Sequence, residues 1–73
     1  MHFRVELGSL FHQNENILDI ALNGLKEGVQ LTDQEIIYDC GKIIGLDKFG
    51  QPTSKVFIVL SSTLESIRTM YPI

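Results

Sequence analysis

The feature that most constrains this chain is the run Val56-Phe57-Ile58-Val59-Leu60. Its residues favour extended backbone. Val56, Ile58 and Leu60 fall on one face of a strand, and Phe57 and Val59 on the other. A strand that is apolar on both faces belongs in the middle of a sheet, with a helix over one face and something else over the other. The chain has 73 residues, enough for one core and therefore for a single domain spanning residues 1–73. Covering both faces of such a sheet is the problem the rest of the sequence has to solve.

It solves that problem without staples. There is one cysteine, so no internal disulfide can form, and no cluster of metal ligands stands out. A domain of this size buries about 60% of the surface its unfolded chain exposes, so tight packing or self-association must supply its stability. The lone thiol fits a reducing compartment, and a cytoplasmic location is expected. The N-terminus lacks a basic segment followed by an apolar stretch, so no secretory leader is expected. No apolar run is long enough for a spanning helix, which predicts no membrane partner. The net charge of −3 argues against a sequence-independent phosphate binder, which would carry a basic stripe.

Other elements follow from periodicity. In His2-Phe3-Arg4-Val5-Glu6-Leu7 the alternation predicts a half-buried strand. From Asn16 to Glu27, Ile17, Leu18, Ala21, Leu22 and Leu25 form one helical stripe that is expected to pack on the sheet. Asn14 and Asn16 are both credible N-caps. Glu15 and Asp19 suit the positive end of the helix dipole, and Lys26 the negative end. Gly28 is placed to close the helix in a left-handed conformation. Gly24, an unfavourable interior residue, offers close approach to a neighbouring element.

Thr32 with Glu35 has the spacing of a reciprocal capping box and favours a short helix from about Asp33 to Cys40. The alternative is a strand from Glu35 to Asp39, because Ile36-Ile37-Tyr38 has strong strand preference. Further on, Asp47-Lys48-Phe49-Gly50 suits a type I turn with Gly50 left-handed, joining a strand over Lys42–Asp47 to one over Ser54–Leu60. The tail is ambiguous on pattern alone. Ser62-Thr63-Leu64-Glu65 reads as another capping box, while Ile67, Thr69 and Tyr71 alternate as in a strand; Pro72 stops either.

The order Gly41-Lys42-Ile43-Ile44-Gly45-Leu46-Asp47-Lys48-Phe49-Gly50-Gln51-Pro52-Thr53, then Lys55-Val56-Phe57-Ile58-Val59, then Ile67-Arg68-Thr69-Met70-Tyr71-Pro72-Ile73 is similar to the C-terminal half of small bacterial toxin ribonucleases of the barnase/EndoU/colicin/RelE-like superfamily. Leu10-Phe11 and Ala21-Leu22-Asn23-Gly24 also resemble EndoU-type toxin domains. The resemblance implies that Val56–Ser61 and Ser66–Tyr71 form a last hairpin around residues 62–65. It also implies activity on RNA and an antidote-like protein partner. That family carries two catalytic histidines ahead of the helix in glycine-rich surroundings; here the histidines are His2 and His12, without that context.

Cleavage of RNA by its own 2′-hydroxyl needs a base, an acid and a donor for the charged phosphorane. His12 is the best base or acid, since imidazole titrates near neutrality. Lys55 would stabilise developing charge, and the resemblance assigns Thr69 and Tyr71 to holding phosphate or stacking a base. Each has a plainer role open to it. His12 suits a solvated loop, His2 a frayed end, Lys55 a solvated strand start, and Thr69 and Tyr71 a strand. Asp33, Glu35 and Asp39 match no calcium loop, and Gly41-Lys42 lacks the upstream glycine and following Ser or Thr of a phosphate loop, so no cofactor is expected. Cys40 reads as a small core residue, and Leu10-Phe11 as a staple of the helix entry.

The sequence therefore predicts an α+β fold, with one main helix packed on a small antiparallel sheet. That sheet is a C-terminal three-stranded meander joined by an N-terminal strand. The second sheet face, lined by Phe57 and Val59, predicts a homodimer or a protein partner. Two functions remain in play: a toxin-like endoribonuclease, and a non-catalytic interaction module or inhibitor.

Overall fold

The computed structural model describes residues 10–73, and the strand expected over residues 2–7 lies outside them. The fold is α+β, with one helix and two antiparallel sheets among the described residues. In chain order the elements are β1 (Leu10–Phe11), α1 (Ile17–Glu27), β2 (Val29–Gln30), β3 (Glu35–Asp39), β4 (Gly45–Leu46), β5 (Pro52–Thr53), β6 (Lys55–Leu60) and β7 (Ile67–Pro72). The larger sheet has the order β2-β3-β6-β7, and the smaller one β1-β4-β5.

The apolar run of β6 sits between β3 and β7, as its two apolar faces require. Ile36 and Met70 flank Ile58 on one face, while Ile37 and Tyr71 flank Phe57 on the other. The tail is strand. β6 and β7 form a hairpin closed by Ser61 N–H on Ser66 O at 2.8 Å, with Leu64 left-handed at φ 63° in the connection. The hairpin carries an irregularity at Val59/Leu60, which puts Ile67 opposite Leu60 and keeps it packed against the core.

The second helix does not form. Residues 35–39 are β3, and Thr32 and Glu35 meet across a turn instead, making only one of the two capping-box bonds. Glu35 N–H donates to Thr32 Oγ1 at 3.1 Å, and the Thr32 hydroxyl donates to Glu35 Oε1 at 3.1 Å. The Thr32 hydroxyl, which would cap a helix, here takes the Glu35 N–H to close the β2–β3 connection, because the β-branched and aromatic run behind it has a sheet to join.

The expected hairpin around residues 47–50 is present, with shorter arms than expected. Gly50 is left-handed at φ +77°, and Asp47 Oδ1 accepts from Phe49 N–H at 2.8 Å and Gln51 N–H at 3.0 Å. The arms last only two pairs, Gly45 with Thr53 and Leu46 with Pro52. At Ser54 the chain leaves that ladder, and β6 pairs with β3 and β7. The third strand of the C-terminal meander is therefore replaced by β3.

Helix α1 begins where expected, with Asn16 Oδ1 accepting from Asp19 N–H at 3.2 Å. Its end differs from expectation. Gly28 is extended (φ −68°, ψ 162°), and its N–H reaches Gly24 O at 2.8 Å. Glycine is needed there for space, since a Cβ would strike Ile36 Cγ2 and Gly24 O.

The packing face of α1 is also rotated. Ile20, Ala21 and Gly24 are buried and Ile17 half-buried, whereas Leu18, Leu22 and Leu25 are exposed. Gly24 explains the rotation: a Cβ at this position would collide with Ile58 Cδ1 and stand 3.4 Å from Tyr38 Cβ. The helix rests on β3 and β6 through its smallest residues, and the leucines turn away. The core beneath holds Ile36, Ile44, Val56, Ile58, Leu60 and Met70, together with Ile20 and Ala21.

Candidate functional site

Alternation along β6 and β7 creates two unlike sheet faces. The inner face carries Val56, Ile58 and Met70, all fully buried, under α1 and the Ile44 segment. The outer face carries Phe57, Val59, Thr69 and Tyr71, all half-buried. The strand registers line up one continuous row on that outer face, running Val29, Ile37, Phe57, Tyr71 across all four strands. The Phe57 and Tyr71 rings meet at 5.6 Å between centroids, tilted by 42°, an arrangement aromatic pairs favour. Beside this row run Glu35, Val59 and Thr69 on one side, and Asp39 and Lys55 on the other.

Electrostatics at the Asp39 end are locally satisfied. Gly41 N–H donates to Asp39 Oδ1 at 2.9 Å, in a turn that needs Gly41 at φ +76°. That backbone bond, a second from the Ser54 side chain and the facing Lys55 hold the Asp39 carboxyl below its ordinary range. The neighbouring Cys40 is half-buried, and burial, with the Asp39 carboxylate, pushes its thiol up. It stays protonated at neutral pH and is a poor nucleophile. Tyr38 is likewise pushed up, by desolvation first and then by Cys40, Glu27 and Asp39. Lys42 Nζ pairs with Glu15 Oε1 at 3.1 Å, tying the β3–β4 connection to the approach of α1.

Three of the sequence-derived site residues lie on one face of the larger sheet. Lys55, Thr69 and Tyr71 share the outer face, Thr69 opposite Val59 and Tyr71 opposite Phe57. His12 is placed elsewhere: it follows β1, its N–H donates to Ile44 O at 2.9 Å, and its side chain is exposed beside the smaller sheet. His2 lies outside the described residues. The sequence reading missed Val29, Ile37 and their alignment with Phe57, because the row exists only once β3 is a strand. Among the described residues, no group of three or more His, Cys, Asp and Glu side chains could hold a metal ion. No described helix is long and apolar enough to cross a membrane.

Compared with known proteins, the chain matches no family model, no curated protein and no solved structure.

Proposed function

We propose that this domain is a non-catalytic interaction module that docks another protein on the outer face of its four-stranded sheet. The observation that carries the reading is the row Val29, Ile37, Phe57, Tyr71, with Val59 beside it. α1 and Ile44 belong to the core on the opposite face. A contiguous apolar row with an aromatic pair at its centre and polar residues around it has the make-up of an interface: anchors inside, a polar rim outside. The chain's net charge of −3 and the rim carboxylate of Glu35 suit a partner with an apolar patch and basic residues around it.

The experiment is a comparison of two baits. Parent protein and Phe57→Lys are used to capture proteins from an extract of the source cells, with circular dichroism showing that both are folded. A protein retained by the parent and lost from the variant supports the reading. Identical captured sets, or none from either, overturn it.

A second reading is favoured by one observation, the placing of Lys55, Thr69 and Tyr71 on one face. In a toxin-like ribonuclease these would hold phosphate and base, with His12 as the acid or base. Cleavage of total RNA that falls on His12→Ala and on Lys55→Ala would support it. Intact RNA, or cleavage indifferent to both substitutions, would remove it.

A further inference from the structure

We propose that the open flank of α1 pairs with the same flank of a second copy of this chain, side by side and antiparallel. This surface is separate from the sheet face and rests on different residues. Leu18, Leu22 and Leu25 are 53%, 55% and 45% exposed. With 3.6 residues per turn, the three leucines centre roughly 100° around the helix from the buried line of Ile17, Ala21 and Gly24. They lie on the flank of α1. Ile20, on the opposite flank, is buried among residues of the core that include Ile44 and Met70. α1 itself lies chiefly over β3, next to the two-residue β2 that ends the sheet. The leucine flank therefore faces outward past β2.

The spacing of that flank is specific. Leu18, Leu22 and Leu25 follow one another by four and three residues, the alternation of a helix-pairing seam. Against an inverted copy, Leu22 of each chain meets Leu25 of the other. The charges decide the orientation. Asp19 and Lys26 each follow a seam leucine by one position, so both line the solvent side of the stripe. A two-fold axis near the middle of the helix sets Asp19 of each copy beside Lys26 of the other, giving two ion pairs from one sequence. A parallel arrangement instead sets Lys26 against Ala21, which is buried in the core, and leaves Asp19 without an opposite charge. Antiparallel alignment also opposes the helix dipoles favourably.

The seam is small. Three half-exposed apolar side chains make a patch on the order of a few hundred Å², below the roughly 800 Å² each partner contributes to a standard stable interface. The expected dimer is accordingly one that dissociates on dilution into the micromolar range.

Sedimentation velocity over a dilution series of the full chain tests this. The parent protein should pass from dimer to monomer as it is diluted. Leu22→Glu should be monomeric throughout with unchanged helical circular dichroism. Phe57→Lys, which alters the sheet face, should leave the dimer intact, so failure of this proposal and failure of the docking reading are distinguishable. Asp19→Lys and Lys26→Asp should each weaken the dimer, because like charges then oppose each other. An equimolar mixture of the two should dimerise more strongly than either alone. A parent protein that is monomeric at every concentration, a dimer indifferent to Leu22→Glu, or a mixture no stronger than its components would overturn the proposal.

Discussion

The two faces of β6 and β7 are built from the same twelve positions and have had opposite fates. On one, Val56, Ile58 and Met70 are sealed under a helix that approaches through Ala21 and Gly24. On the other, Phe57, Val59 and Tyr71 stop at half burial, with the Phe57 and Tyr71 rings in contact. The difference teaches that apolar character decides what can be buried, while the size of the facing residues decides what is. α1 presents leucines and small residues on adjacent stripes, and the sheet takes the small ones because a helix that sits closer buries its partner more completely.

Substitutions in the two faces should separate them. The largest effect is expected from Ile58→Ala, which empties the centre of the sealed face. It should cost about 2–5 kcal/mol, a large part of the roughly 4–11 kcal/mol a chain of this length has in total, and urea unfolding would measure it. Gly24→Ala comes next. In an open helix this change stabilises by about 1 kcal/mol; here the new methyl must displace a fully buried Ile58, and a loss of about 1–3 kcal/mol is expected. A gain on this substitution would show that the close approach of α1 is not what seals the face.

On the open face, Phe57→Ala removes the ring contact with Tyr71 and should cost about 1 kcal/mol beyond the buried area it loses. Its loss should remain well below that of Ile58→Ala in the same unfolding experiment. Smallest of all is the helix flank, where Leu22→Ala should stay within about 0.5 kcal/mol of the parent at concentrations where the chain is monomeric.

Acid separates the faces in another way. The Asp39 carboxyl, beside Lys55 on the open face, titrates below its unfolded value. Its contribution is therefore fully present above the unfolded carboxylate range and is lost as pH falls through the depressed folded value. Stability should decline below about pH 4. Asp39→Asn should flatten that decline, which pH-dependent urea titrations would detect.

The sequence made some of this legible and concealed the rest for identifiable reasons. Local signals survived: the Asn16 cap, the left-handed Gly50 after Asp47, and the two-sided apolarity of β6 each depend on a few neighbouring residues. What failed were choices that neighbours cannot settle. The Thr32 hydroxyl accepts from the Glu35 N–H whether a helix or a strand follows, and only the presence of β6 as a partner decides for Ile36-Ile37-Tyr38. The strand partner of β6 is a non-local choice, so Lys42–Asp47 looked as suitable as Glu35–Asp39. The stripe of α1 was misplaced because periodicity ranks leucine above glycine, while close packing on Ile58 reverses that order. Of the outer row, Phe57 and Tyr71 could be read from their own strands; Val29 and Ile37 required the registers.

The central claim is that the outer face is apolar yet open while the inner face is closed, and methyl relaxation by a soluble paramagnetic probe tests it most directly. The methyls of Ile37 and Val59 should relax strongly, and those of Ile36, Val56 and Ile58 should be protected. Equal protection of both sets would contradict the account, because it would mean that the outer face is already covered within the domain.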